Sequence, residues 1–165
     1  MDIKFLVTDV DGVLTDGKFT YTPEGKVSKI FGPHDSDGFK LLLSEGVSIK
    51  AITADSRGFP ISKKRLDDMG IELFLVKEKD RLEWIKNNTD IDKTAFIGDG
   101  LYDIPSMKFC KLSFAPDNAL DIAKPHADIV TRSKGGEGVI LEVALEILKI
   151  INPNKLNSFN DGEII

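Results

Sequence analysis

The sequence predicts an α/β fold, a parallel sheet covered by helices, on three observations. Short apolar runs alternate with segments of helical periodicity along most of the chain, and that alternation builds parallel sheets through crossover helices. Two of the runs, ending at Val10 and Ile97, deliver aspartates into a glycine turn, as at the ligand-binding edge of an open parallel sheet. The 165 residues suit one domain with a single sizeable core.

The first strand is expected over Lys4–Thr8, followed by Asp9 and Asp11, two carboxylates one residue apart. Strand alternation would point them to opposite faces, but the Gly12 turn lets the chain curl so that both serve one site. Close carboxylates without a basic neighbour repel, and a hard divalent cation, Mg²⁺ by its oxygen preference, relieves the repulsion. Next, Lys18–Tyr21 and Lys26–Phe31 flank Thr22-Pro23-Glu24-Gly25 and read as a β-hairpin flap over about residues 18–31. An isolated hairpin is marginal in water, so it should pack on its own domain or on a neighbouring subunit.

Further strands are expected at Ser48–Thr53, Leu73–Val76, Thr94–Ile97, Leu112–Phe114 and Ile129–Val130. Helices are expected at Gly38–Glu45, Pro60–Met69, Asp80–Asn87, Leu101–Lys108, Asn118–Lys124 and Gly138–Leu148. Asp37 suits the start of the first helix, and Gly46 and Gly70 suit the ends of the first two. Residues 1–150 then form the domain, and 151–165 a polar tail that ends in Ile164-Ile165 and is mobile unless docked.

The formal net charge of −5 argues against a nucleic-acid partner held through phosphates. No apolar run is long enough to span a membrane, and the first residues lack a basic-then-apolar signal segment. A single cysteine, Cys110, excludes an internal disulfide and reads as a buried thiol. Together these features point to a cytoplasmic chain without a membrane partner.

Three more strand ends carry polar chemistry. Thr53 closes its strand before Ala54 and Asp55, where a hydroxyl and the following N–H groups can hold a phosphate oxygen. Lys77, Lys79 and Arg81 lie just beyond the Leu73–Val76 strand as candidate cations, with Lys79 favoured. Gly98-Asp99-Gly100-Leu101-Tyr102-Asp103 repeats the strand–carboxylate–glycine arrangement of the first site segment.

The string Asp9-Val10-Asp11-Gly12-Val13-Leu14-Thr15 resembles motif I of the haloacid dehalogenase (HAD) superfamily, Thr53 its motif II, the basic cluster its motif III, and Gly98–Asp103 its motif IV. The resemblance implies a Rossmann-like three-layer core. It also implies that Asp9 is the nucleophile, Asp11 the general acid and base, Thr53 a phosphoryl ligand and Lys79 the motif III cation. Mg²⁺ would then be held by Asp9, Asp99 and the backbone carbonyl of Asp11, with Asp103 in its outer surroundings. Many relatives read Asp-Lys-Leu in motif III, where this chain has Asp80-Arg81-Leu82.

The intervals between the motifs leave no room for a cap domain, so the site should be open. Asp9–Gly17, Asp35-Ser36-Asp37-Gly38 and Lys134-Gly135-Gly136-Glu137-Gly138 are similar to strings in the capless 3-deoxy-D-manno-octulosonate 8-phosphate phosphatase family, which also includes nonulosonate (sialic acid type) 9-phosphate phosphatases. The resemblance implies hydrolysis of a sugar-acid phosphate through an aspartyl-phosphate, and a homotetramer whose hairpins form a central barrel. Thr53, Ala54, Asp55, Lys79 and Asp35 are the expected substrate contacts. Where octulosonate phosphatases carry Gly-Arg after the motif II Thr, this chain has Ala54-Asp55, so a nonulosonate or another sugar phosphate is at least as good a candidate substrate as the octulosonate. The alternative is a phosphatase-like oligomerisation or regulatory module, like the domain fused to some sialic acid cytidylyltransferases.

Overall fold

A computed structural model describes residues 2–160 and 162. Its main sheet has six parallel strands in the order β5-β4-β1-β6-β7-β8. These are β1 (Phe5–Asp9), β4 (Ser48–Thr53), β5 (Glu72–Leu75), β6 (Thr94–Ile97), β7 (Leu112–Ala115) and β8 (Ile129–Val130). From β1 the chain winds outward through β4 to β5, then returns to β6 on the other side of β1. Loops leaving β1 and β6 therefore diverge and open a crevice at their carboxyl ends. Register pairs Asp9 with Ile52, and Thr8 with Ile97, so the ends of β1, β4 and β6 lie level.

Alternation along the buried strands sends side chains into two apolar layers. Leu6, Ala51 and Ile97 face a cluster completed by α1 (Asp35–Ser44), α2 (Phe59–Asp68) and α5 (Val139–Ile151), through Phe39, Leu66 and Val143. Val7, Ile52 and Phe96 face the opposite layer with Ile85 of α3 (Arg81–Asn88) and Met107 of α4 (Ile104–Phe109). A Cβ on Gly38 would overlap the Ile140 backbone, so a glycine there permits the close crossing of α1 and α5.

The hairpin is real and longer than its sequence signal: β2 (Thr15–Thr22) pairs antiparallel with β3 (Gly25–Phe31). Its Phe19, Tyr21, Val27 and Ile30 side chains are exposed, Phe19 at the wall of the crevice beside Lys26 and Tyr21 accepting from Arg57 through its hydroxyl. The hairpin and α1 fill the whole interval between β1 and β4, and α2 alone lies between β4 and β5. No cap-sized insert is present among the described residues. None of the described helices is long and apolar enough to cross a membrane.

Two expectations need correction. The helix expected at Asn118–Lys124 is a run of turns followed by a 3₁₀ turn at Lys124–His126. One of its amides is diverted to a tertiary bond (Leu120 N–H donates to Asp99 O at 2.9 Å), and Pro125, just beyond the segment, has no N–H to donate. The first helix starts at Asp35 behind a left-handed His34 (φ 67°), so Asp37 lies inside the first turn rather than capping it. In the polar tail, α6 (Pro153–Asn160) is docked at its start: Lys155 Nζ lies 2.6 Å from Glu45, and Asn152 donates to Glu45 at 2.9 Å. Ile164 and Ile165 lie outside the described residues.

Asp35 is also displaced from its expected role. It is buried (2% exposed), and its Oδ1 accepts the Ile140 N–H at 3.1 Å, joining α1 to the start of α5 away from the crevice. Burial pushes its carboxyl up to about 7, against the opposing pull of the Ile140 N–H, Arg65 and His34. The folded state therefore holds this proton up to higher pH than the unfolded chain does. Asp35's contribution to stability falls as pH rises from about 4 to about 7 and is level above that. Asp35→Asn keeps the acceptor and removes the titration. Its advantage over wild type in urea unfolding is expected to grow by on the order of 2 kcal/mol between pH 5 and pH 8. A constant difference across that range would refute the assignment.

Candidate active site

The crevice at the carboxyl ends of β1 and β4 holds a cleft of about 530 Å³, lined by Asp11, Thr53, Ala54, Asp55 and Arg81 among others. The turn after β1 presents its two carboxylates in different directions. Asp9 is buried, and its Oδ1 accepts the Val10 N–H at 2.8 Å. Asp11 turns toward the hairpin side and remains one-third exposed. This turn depends on Gly12, whose φ of +87° belongs to the left-handed region and whose Cα lies against the Asp99 carboxylate, leaving no space for a Cβ. The loop is braced from outside: Asn118 donates to Gly12 O at 3.2 Å and accepts the Gly135 N–H at 2.5 Å. The glycines of Lys134–Gly138 thus serve close backbone packing against the turn, since a Cβ on Gly135 would overlap Gly12 O.

Asp99 follows β6, and one oxygen each from Asp9, Asp99 and Asp103 lies within 4.8 Å of the others. Asp103 has little capacity left. Its Oδ2 accepts the N–H groups of Asp99 and Gly100 at 3.0 and 2.9 Å, and its Oδ1 pairs with Arg81. It braces the turn that presents Asp99, whose own carboxylate takes no hydrogen bond from another of the described residues and is open to a cation. Asp11's side chain is absent from this trio, so only its backbone carbonyl remains for the expected metal role.

Of the candidate cations, the structure brings Arg81 to Asp9 and leaves Lys79 outside the site. Lys79 is exposed on the 3₁₀ turn at Glu78–Asp80. Arg81, the first residue of α3, is buried and spans both carboxylates. Its Nη1 lies 2.9 Å from Asp9 Oδ2, its Nη2 lies 3.2 Å from Asp9 Oδ1, and Nη1 also reaches Asp103. A planar fork suits this double engagement better than a single ammonium. Burial opposes the Arg81 charge, but Asp9 and Asp103 outweigh it and hold the guanidinium firmly protonated.

Thr53 sits as expected. Its buried hydroxyl donates to Asp11 Oδ2 and accepts the Asp55 N–H, both at 3.1 Å. Asp55 lines the cleft, but its carboxylate is already engaged. Oδ1 accepts the Gly58 N–H at 3.0 Å, and Oδ2 lies 2.5 Å from Lys26 and 2.8 Å from Lys29. Burial works to raise its pKa, but the hydrogen bonds from both lysines hold it well below the usual carboxylate range. Asp55 is therefore a wall element rather than a free acceptor for substrate hydroxyls.

Lys26 and Lys29 were not identified from the sequence. Both lie on the hairpin, and Lys29's side chain is fully buried between Asp11, at 2.7 Å, and Asp55. A lysine on a short hairpin strand reads as solvated. The signal available was the number of acidic residues that the motifs deliver to one place.

The charges fit a divalent cation. Asp9, Asp11, Asp55, Asp99 and Asp103 meet Lys26, Lys29 and Arg81, so five carboxylates face three cations and leave two negative charges when all are ionised. Burial drives Asp9 well above the usual range, with Asp103 and Asp99 adding and Arg81 opposing. Burial, with Asp103, raises Asp99 to about 7. Hard oxygen ligands with unmet negative charge are the donor set that Mg²⁺ prefers. Arg81→Met leaves two buried carboxylates without their counter-charge. In EDTA at neutral pH, urea unfolding is expected to show a loss of roughly 3 kcal/mol. A loss below about 1 kcal/mol would mean that the fork is not a principal restraint of this site.

A family model described as haloacid dehalogenase-like hydrolase matches residues 82–143. The chain is 36% identical over 153 residues to the 3-deoxy-D-manno-octulosonate 8-phosphate phosphatase of Haemophilus influenzae, a match covering 90% of this chain and 84% of the relative. A cobalt-bound structure of the H. influenzae phosphatase superimposes with a TM-score of 0.83 at 34% identity, covering 96% of this chain and 93% of the other. The Moraxella catarrhalis enzyme of the same name, in complex with magnesium, phosphate and 3-deoxy-D-manno-octulosonate (KDO), gives a TM-score of 0.84 at 27% identity, over 97% of this chain and 92% of that one.

Proposed function

Because the chain belongs to the 3-deoxy-D-manno-octulosonate 8-phosphate phosphatase family of haloacid dehalogenase-like hydrolases, we propose that it is a Mg²⁺-dependent phosphatase of a sugar-acid phosphate, of the octulosonate 8-phosphate or nonulosonate 9-phosphate type. The observation that carries the reading is the convergence of Asp9, Asp99 and Arg81 beside Asp11 and Thr53 at one strand edge.

In this reading Asp9 attacks phosphorus. The bond from phosphorus to the ester oxygen breaks, and that oxygen takes the proton of Asp11 and leaves as the alcohol. Asp11, now a carboxylate, accepts a proton from water as the water oxygen attacks the aspartyl-phosphate. The bond between phosphorus and Asp9 breaks, releasing inorganic phosphate and restoring both groups. Thr53, with the N–H groups after it, holds phosphoryl oxygens, and Arg81 orients the Asp9 carboxylate between its two nitrogens. Asp9, Asp99 and the Asp11 backbone carbonyl hold Mg²⁺, which supplies positive charge to the phosphoryl oxygens when bound.

A panel of eight- and nine-carbon sugar-acid phosphates, assayed with Mg²⁺ and again in EDTA, tests the proposal. Turnover of at least one member that EDTA abolishes and Mg²⁺ restores is expected, with silence on the whole panel as the adverse result. Asp9→Asn should abolish turnover while leaving the melting temperature within a few degrees of wild type. Asp11→Asn should slow both half-reactions, by roughly 10²–10⁴-fold if acid–base catalysis is lost. Wild-type rates in either variant would remove the role assigned to it.

The same reading includes a cytoplasmic homotetramer. Support comes from the unpaired thiol of Cys110 and from the hairpin, where the apolar side chains of Val27 and Ile30 stay exposed on the single chain. Sedimentation velocity should give a tetramer, and Ile30→Asp should dissociate it; a monomeric wild-type chain would contradict the assembly.

A further inference from the structure

We infer that Lys29 is a positioning residue for the reaction: its buried ammonium fixes the side chain of Asp11 so that, in the step where Asp11 is the protonated acid, its proton faces the leaving oxygen. The inference rests on the phosphatase reading and deepens it.

The geometry is specific. Lys29 Nζ lies 2.7 Å from Asp11 Oδ1 and 3.0 Å from Oδ2, 2.8 Å from Asp55 Oδ2 and 3.0 Å from Ser62 Oγ. An ammonium has three protons, and three residues surround this one, so each proton has a destination. The lysine side chain has no exposure, whereas Asp11 keeps a third of its own. Lys29 therefore stands behind Asp11 and leaves the front of the carboxyl group facing the cleft. Thr53 closes the remaining side through its bond to Asp11 Oδ2 at 3.1 Å. A carboxyl group on a glycine turn would otherwise rotate freely about its side-chain bonds.

An exposed ion pair would not support this argument, because such pairs contribute little. Here the ammonium is out of water, and its partners come from three separate elements. Asp11 follows β1, Asp55 follows β4 and Ser62 is a fully buried residue of α2, while Lys29 itself is on the hairpin. Asp55 can keep its other lysine, Lys26, when Lys29 is changed. Asp11 has no second cation among its recorded partners, so loss of the ammonium falls mainly on Asp11.

Leaving-group dependence separates positioning of the acid from general support of the fold. In a two-step reaction through a covalent intermediate, kcat/KM reports the first half-reaction, up to departure of the leaving group. An alkyl phosphate such as a sugar phosphate needs a proton on its leaving oxygen. An aryl phosphate such as p-nitrophenyl phosphate leaves as a stable anion and does not. For Lys29→Met with Mg²⁺ present, kcat/KM for the alkyl substrate is expected to fall at least tenfold and that for the aryl substrate less than threefold. The ratio of the two is measured within one preparation, so a misfolded fraction cancels from it. An equal fall on both substrates would make Lys29 a structural residue, and no fall on either would remove it from the reaction; both results overturn the inference. Ser62→Ala removes one restraint on the ammonium without changing any charge, and should shift the same ratio two- to threefold. If Lys29→Met does not fold, an unchanged ratio in Ser62→Ala overturns the inference. Failure of the underlying phosphatase reading looks different, because the wild-type protein would then turn over neither substrate.

Discussion

The structure is organised around the engagement of Arg81 with Asp9 and Asp103. Two carboxylates and a guanidinium are buried together at the carboxyl edge of the sheet, where desolvation of any one of them alone would be costly. The fork ties three parts of the chain that are distant in sequence: the end of β1, the start of α3 and the turn after β6. Because Asp103 also accepts the Asp99 and Gly100 N–H groups, the same contact sets where Asp99 stands. Asp9, Asp99 and the turn that presents Asp99 are thus positioned by one side chain. The excess negative charge left over gives a divalent cation its place.

The sheet explains why these segments meet. β1 is central, and the order of the strands reverses between β1 and β6, so the loops after them separate and leave an opening instead of packing together. Short loops suffice because the sheet does the positioning. Asp9 is still within β1, Thr53 ends β4, and Asp99 lies two residues beyond β6. The one loop that must bend sharply, at Gly12, is held by bonds to Asn118 and by contact with Gly135 from the far end of the chain.

Much of this was legible from local sequence. Thr94–Ile97 and Ser48–Thr53 are apolar, β-branched and sharply bounded, and they form strands with those limits. Asp9 and Asp99 stand out because carboxylates delivered by a strand into a glycine turn are a local pattern, whereas Thr53, an ordinary strand-closing residue by its neighbours, is singled out only by the resemblance to motif II. Misreadings arose where long-range contacts decide. Asn118 begins a plausible helix, yet its side chain is used to brace the Gly12 turn. Asp35 sits in a motif-like string, but the start of α5, more than a hundred residues away, takes its carboxylate. Lys79 and Arg81 are near neighbours in one basic segment. Which of them turns inward depends on the step from the 3₁₀ turn into α3, a detail finer than periodicity reports. Lys29 carries no local signal, since its burial is created by α2 and the β1 turn closing over the hairpin.

An open site of this size cannot rely on a cap to exclude water, and its other resource is preorganisation. Groups that already hold their working geometry need little reorganisation when charge moves, so less closure is required. The partners recorded for the site side chains fit that strategy. Asp9 is held by Arg81 and the Val10 N–H, Asp11 by Lys29 and Thr53, Asp55 by two lysines and the Gly58 N–H, and Asp103 by Arg81 and two backbone amides. Each anchor comes from a different element than the side chain it fixes, or from the backbone of its own turn. Rigidity at the phosphate end is thereby built from cross-links within one chain. The hairpin supplies two of those cross-links while its Val27 and Ile30 stay exposed, so contacts made there would bear on the element that carries Lys26 and Lys29.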